Sequence, residues 1–246
     1  MNNVVFMVDI QGYKYNKGYE YSAKSWEIWT KKHGYEFVRL TEAIHGSDVM
    51  KPNWHKFYAF DLIENEGMKV DKLLVVDADT IIHPDAPDFF KLCDDNVCGV
   101  HENGSYDWTL RSIENYNELF SGKTISWEKY INTGFILIDS KWRCIFDSMK
   151  LFYFHFRDEL IKLQDLGTGT DQTPFNYVLQ NFDVPLEILP YKYNMSCMPK
   201  PEILGEDMLH TKLGYVYHFN GIPEKETSVP YWMEKTFKHL NGKNQQ

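Results

Sequence analysis

Asp77 and Asp79 flank Ala78 directly after an apolar run, Leu73-Leu74-Val75-Val76. Carboxylates two positions apart on a turn can both reach one hard cation, whose shell is completed by water or phosphate oxygens. As a bare pattern the pair says little. With 18 aspartates in 246 residues, about one D-x-D arises by chance, and a solvated turn needs no ion. Its place at the end of an apolar run is what makes it informative. Asp171-Gln172 follows Gly167-Thr168-Gly169-Thr170. A carboxylate there can act on a ligand, or it can cap the first turn of a helix. His218 follows Val216-Tyr217 and precedes Asn220-Gly221. It is either a metal ligand or a histidine satisfied at a strand end. Lys56, after Pro52, is either a cation for a phosphate or an ordinary surface lysine.

These residues need elements to carry them. Residues 4–9 and 72–77 are apolar runs ending in an acid and read as buried strands. Residues 35–40, 96–100, 135–138, 186–189 and 215–219 read as further strands. Helical spacing covers 22–32, stopped by Gly34, and 53–65, stopped by Gly67. It also covers 109–120, a long segment 142–163, then 171–181 and 229–240. Strands alternating with helices predict an α/β sheet covered on both faces. No linker or repeat divides the chain, so residues 1–246 are expected to form a single domain. Ligands of such sheets bind beyond the carboxyl ends of the strands, where Asp9 and Asp77 stand.

Composition narrows the partners. With 26 basic against 35 acidic residues and a net charge of −9, a general nucleic-acid binder is disfavoured, because that affinity rests on phosphate neutralisation. The 16 Tyr, 16 Phe and 7 Trp suit a core, and also the apolar faces of sugars. The four cysteines form no C-x-x-C pair, and four free thiols in a reducing compartment is the simplest reading. No run approaches the ~20 apolar residues of a membrane span, and residues 1–9 lack the basic start of a signal peptide. A cytoplasmic or otherwise soluble chain is expected.

In chain order the motifs resemble those of glycogenin and the bacterial lipopolysaccharide galactosyltransferases, retaining enzymes of the GT-A fold. Tyr15-Asn16-Lys17-Gly18 is similar to Y-x-K-G. Lys56-Phe57-Tyr58-Ala59-Phe60 resembles the helix before the acidic motif. Asp77-Ala78-Asp79-Thr80 is similar to D-A-D-T, and Pro87-Asp88-Phe89-Phe90 to D-D-L-F. Asn132-Thr133-Gly134-Phe135 resembles N-[ST]-G-[VF]. Asp171-Gln172 with Asn176 is similar to D-Q-x-x-x-N, Leu189 to Asn194 to L-P-x-x-Y-N, and His218-Phe219-Asn220-Gly221 to H-F-x-G. The stretch from Asn132 to Trp142 also resembles the Golgi xylosyl- and galactosyltransferases. Two departures stand out. The family's K-P-W after H-F-x-G is replaced by Ile222-Pro223-Glu224-Lys225, with the lysine one residue late. The segment from Met195 to Pro201 holds no tyrosine, so self-glucosylation is not expected.

The resemblance implies a GT-A fold: one nucleotide-binding domain with a mixed, mostly parallel sheet. It implies transfer of a hexose or pentose from a nucleotide-sugar, a UDP-sugar by the nearest motifs, to a glycan or other hydroxyl acceptor, with retention. Asp77, Asp79 and His218 would hold the metal. Mn²⁺ suits mixed carboxylate–imidazole ligation better than Mg²⁺, which is also possible. Asp9, Tyr15, Lys56, Asp77, Ala78, Asn132, Gly221 and Lys225 would bind donor or nucleotide. Asp171 and Gln172 would be catalytic, and Thr133 and Tyr193 would face the acceptor. Two other readings remain at this level. A sugar-nucleotide pyrophosphorylase would carry more glycines than Gly12 and Gly18 in its first loop. An inactive carbohydrate-binding relative would have no need of intact Asp77, Asp79, Asp171 and His218.

Overall fold

The structure, a computed structural model, describes residues 2–10, 17–200 and 202–242. The strands are β1 (Asn3–Val8), β2 (Glu36–Leu40), β3 (Lys72–Asp77), β4 (Thr80–Ile82), β5 (Val97–His101), β6 (Ile131–Asp139), β7 (Leu186–Leu189) and β8 (Val216–His218). The α-helices are α1 (Gly18–His33), α2 (Ala59–Asn65), α3 (Tyr106–Tyr116), α4 (Arg143–His155), α5 (Arg157–Asp165), α6 (Gln172–Asn181) and α7 (Lys225–Gly242). Six strands form one sheet in the order β2-β1-β3-β6-β5-β7. All run parallel except β6, which is antiparallel to both neighbours.

Strand alternation divides the core between the two faces. Val4, Phe6, Leu73, Val75, Ile136 and Ile138 pack with Phe57, Phe60, Phe146 and Phe175 on one side. Val5, Met7, Leu74, Val76, Phe135 and Leu137 pack with Trp26, Trp29 and Phe89 on the other. Helices therefore cover both faces, as expected. A separate two-stranded ribbon, β4 with β8, is covered by α7 through Ile81, Tyr217, Phe219, Val229 and Met233.

Five local readings are corrected. The segment 142–163 is two helices. Its backbone breaks at Phe156 (φ −114°, ψ 24°), where Tyr153 Oη and Arg157 Nε both donate to Val49 O, at 2.7 and 3.0 Å. The break leaves Leu160 of α5 fully buried in the core. The first half of 53–65 is a 3₁₀ helix, Pro52–Tyr58, and 117–120 is likewise a 3₁₀ turn after α3. Thr80–Ile82 is a strand that periodicity over three residues cannot signal. The cysteines are not all free. Cys93 and Cys98 are disulfide-bonded across the turn that enters β5, with Asp95 at φ 51° bending the chain back. Only Cys144 and Cys197 are free thiols.

Candidate active site and metal centre

The acidic turn is built by β3, β4 and α1. β3 is central and apolar, and it delivers Asp77 to the carboxyl edge of the sheet. The Thr80 hydroxyl donates to Asp77 O at 2.7 Å and accepts from Trp26 Nε1 at 2.9 Å. Thr80 thus clamps the tight passage from β3 into β4. In the ribbon Thr80 pairs with His218, and Phe219 N donates to Asp79 O at 2.8 Å. Pairing β4 with β8 therefore sets His218 beside the aspartates, although they lie far apart in sequence.

His218 Nε2 stands 3.1 Å from Asp79 Oδ1 and 3.9 Å from Asp77 Oδ2. One ligand atom from each of Asp77, Asp79 and His218 lies within 4.8 Å of the others, so the three could hold a metal ion. Burial favours neutral His218, yet the charges of Asp79 and Asp77 outweigh it and raise the pKa above its ordinary value. Burial likewise opposes ionisation of Asp79, but His218 and Lys225 hold it well below the usual carboxylate range. His218 Nδ1 is buried without a hydrogen-bond partner, so the ring is oriented by packing together with the Nε2 contact to Asp79. Gly134 supplies the space. A Cβ there would lie 2.3 Å from His218 Cε1 and 2.8 Å from Nδ1. Two hard oxygen donors and an imidazole in a preformed cradle fit a divalent transition metal.

Lys56 is not the surface lysine of the ordinary reading. It is 1% exposed, and its Nζ bridges Asp77 Oδ1 (2.8 Å) and Asp171 Oδ2 (3.1 Å) while donating to Thr133 O (3.1 Å). Burial alone would lower its pKa; Asp171 and Asp77 raise it instead, so the ammonium is retained. Asp171 occupies the N-cap position of α6 but makes no side-chain cap bond. Its Oδ1 accepts from Asn53 Nδ2 (2.5 Å) and Thr170 Oγ1 (2.8 Å), and its Oδ2 from Thr133 Oγ1 (2.9 Å). Burial would raise the Asp171 pKa, but Lys56 and these bonds lower it. The capping interpretation is therefore excluded.

β6 contributes the floor. Its register against β5 shifts between Gly99 (opposite Ile136) and Val100 (opposite Asn132), which frees Thr133 and Gly134 from that ladder. Thr133 N donates to Gln172 Oε1 at 3.2 Å, and Gly134 N to Asn132 Oδ1 at 2.9 Å. The cluster opens on a cleft of about 250 Å³. Asp9, Tyr19, Asn53, Lys56, Ala78 and Lys225 are among its walls. Asp9 is held by Arg39, whose Nε donates to Asp9 Oδ2 at 2.7 Å. Its pKa is nonetheless raised, chiefly by burial.

The structure thus brings together Asp9, Lys56, Asp77, Ala78, Asp79, Asn132, Thr133, Asp171, Gln172 and His218. Lys225 stands at the edge, exposed, its Nζ 3.9 Å from Asp79 Oδ2. Gly221 makes a left-handed turn (φ 66°) just after β8. Tyr193 is not joined to the cluster. Its ring packs on Phe89 and Tyr215, while its neighbour Asn194 donates to Asn132 Oδ1 at 3.0 Å. Tyr15 lies outside the described residues. Sequence reasoning missed Tyr19, Asn53 and Glu102, and gave no role to Asn194 although it ends the L-P-x-x-Y-N motif. Tyr19 and Asn53 stand beside recognised motifs, whereas nothing in His101-Glu102-Asn103-Gly104 signals a site. Among the described residues, no helix is long and apolar enough to cross a membrane.

No family model matches the sequence, and no curated protein matches it. Solved structures do match in fold. A glycosyltransferase involved in glycosylation of the major capsid of PBCV-1 aligns over 96% of this chain and 100% of its own, at 16% identity and TM-score 0.60. The galactosyltransferase LgtC, in complex with donor and acceptor sugar analogs, aligns over 98% and 95%, at 15% identity and TM-score 0.53. The bifunctional glycosyltransferase WbbM aligns over 96% of this chain and 49% of its own, at 12% identity and TM-score 0.52. The chain has the GT-A fold that its motifs predicted, a mixed and mostly parallel sheet with helices on both faces.

Proposed function

We propose that this chain is a metal-dependent glycosyltransferase. It would move a hexose or pentose from a UDP-sugar to a glycan or other hydroxyl acceptor, with retention of configuration. One observation carries the reading. Asp77, Asp79 and His218 converge beside a cleft that Asp77, Asp79 and Lys56 line, and Lys56 ties Asp77 to Asp171, the neighbour of Gln172. That arrangement suits a ligand with a diphosphate at one end and a sugar at the other.

A divalent cation at the three ligands, Mn²⁺ in our reading, would neutralise the diphosphate as it leaves. Lys225, whose Nζ lies 3.9 Å from Asp79 Oδ2, and Gly221 at the turn after β8 would border the phosphate end. Lys56 keeps Asp171 ionised and fixed, so that Asp171 can accept hydrogen bonds from sugar hydroxyls. Gln172 would lie by the anomeric carbon. Both ends of its amide are already engaged, Oε1 by Thr133 N and Nε2 by a carboxylate. That supports attack by the acceptor on the leaving-group face rather than by Gln172 itself. A retaining glycosidase would instead place a second carboxylate at that position as nucleophile.

The test is a panel of UDP- and GDP-sugars assayed for hydrolysis with Mn²⁺, alongside calorimetry of UDP and GDP. We expect turnover of a UDP-sugar that EDTA abolishes and Mn²⁺ restores, and tighter binding of UDP. Full turnover in EDTA, or preference for GDP, defeats the respective part of the reading. An inverted product by NMR defeats retention.

A further inference from the structure

The carboxylates around the cleft are matched by positive groups, with one exception. Asp9 pairs with Arg39, Asp77 and Asp171 with Lys56, and Asp79 with His218. Glu102, just beyond β5 on the same sheet edge, is 8% exposed and among the described residues makes no direct ion pair, His218 feeling its charge only at longer range. Burying a carboxylate is costly unless its oxygens are satisfied, and here neutral donors satisfy them. Oε2 accepts from Asn132 Nδ2 at 2.7 Å and Gln172 Nε2 at 2.9 Å, and Oε1 from Gly104 N at 2.8 Å. Gly104 has to be small: a Cβ would stand 2.9 Å from Glu102 Oε1 and 2.9 Å from Cys197 Sγ.

We propose that Glu102 is a positioning residue whose carboxylate fixes the side-chain amides of Asn132 and Gln172 in one sense at the sugar end of the cleft. Each amide is held at both ends. The Gln172 carbonyl accepts from Thr133 N, and the Asn132 carbonyl from Gly134 N and Asn194 Nδ2. Turning either amide over would set its carbonyl against the Glu102 carboxylate and its NH₂ against a backbone N–H. The carboxylate also polarises both amides, making their carbonyl oxygens more negative. That is the potential a sugar needs as it acquires oxocarbenium character. This role rests on the glycosyltransferase reading above.

The experiment compares the full chain with Glu102→Gln, Gln172→Glu and the exchanged double variant, all with Mn²⁺. UDP affinity is read by calorimetry, kcat and KM by hydrolysis of UDP-glucose and UDP-galactose, and Tm by thermal unfolding. Glu102→Gln cannot serve all three donors: with its carbonyl toward Asn132 and Gln172 its NH₂ meets the Gly104 N–H, and turned over it sets NH₂ against NH₂. It should lower kcat roughly 10²-fold, the scale of losing one preorganised polar contact, with UDP affinity and donor KM little changed. Gln172→Glu sets two carboxylates together and should lower Tm. The double variant restores an NH₂ facing a carboxylate at position 172, while Asn132 loses its acceptor, and should recover part of that Tm. Should Glu102→Gln not fold, Glu102→Asp, too short to reach both amides, should show the same kcat loss. Wild-type kcat in the Glu102 variant, or a double variant whose Tm losses simply add, overturns the proposal. A wild type that neither binds UDP with Mn²⁺ nor hydrolyses either donor overturns the underlying glycosyltransferase reading, and the kinetic role of Glu102 falls with it.

Discussion

Gly134 decides where His218 can stand, because its missing Cβ leaves the space that the imidazole fills. Gly134→Ala should push the ring from Asp79. We expect Mn²⁺ binding by calorimetry to fall as far as in His218→Ala, with the fold retained; unchanged affinity would mean that the cradle yields. The pH dependence follows from the same neighbours. Asp79 and Asp77 raise the His218 pKa above 6.5, and a protonated imidazole cannot coordinate. Mn²⁺ affinity should therefore begin to fall, as pH is lowered, above the ordinary histidine range rather than below it. For Asp171 the bonding replaces an expectation based on capping. Asn caps about as well as Asp, so a capping Asp171 would tolerate Asn. Because its carboxylate instead meets Lys56, Asn53, Thr170 and Thr133, Asp171→Asn should cost about 1–3 kcal/mol in denaturant unfolding, the scale of bonds to a charged group. It should abolish transfer while sparing UDP binding.

At the scale of elements, α7 is joined to the rest of the chain through a buried histidine. His210, on the turn Leu209–Lys212, shares a 2.9 Å hydrogen bond with Thr236 of α7, and its Nδ1 is buried without a partner. Burial depresses its pKa from 6.5 to about 4. Stability from this group is therefore complete above pH 6.5 and is lost as pH falls toward 4, because the unfolded chain takes up the proton first. By pH 5 the loss should reach about 2 kcal/mol at 1.36 kcal/mol per unit. His210→Gln should show a correspondingly shallower acid dependence between pH 7.5 and 5; equal slopes would remove His210 as the cause. Elements of ordinary length were legible in the sequence because their apolar period repeats several times. β4 was not, since three residues carry no period and its strand character comes from pairing with β8. Nor was the break at Phe156, because the bonds that hold it come from Val49, distant in sequence.

For the whole molecule, the legible part of the site was the part with local punctuation. An acid pair after an apolar strand and a histidine at a strand end can be found without knowing what they touch. Lys56 could be suspected but not placed, because its burial depends on Asp77, Thr133 and Asp171 converging from three separate segments. Glu102 carried no signal at all, as its partners Asn132 and Gln172 lie on β6 and α6. The metal triad itself exists only when β3 and the β4–β8 ribbon are both in place, so a bound ion should stabilise the folded chain as a unit. At a hundred times Kd, a ligand that binds only the folded state contributes about 2.7 kcal/mol. For a chain of this length that is a rise in Tm of roughly 5–10 °C. Mn²⁺ with UDP should produce that rise, EDTA should reverse it, and Asp79→Ala and His218→Ala should each lack it relative to their own metal-free forms. A shift that survives in both variants would place the ion elsewhere.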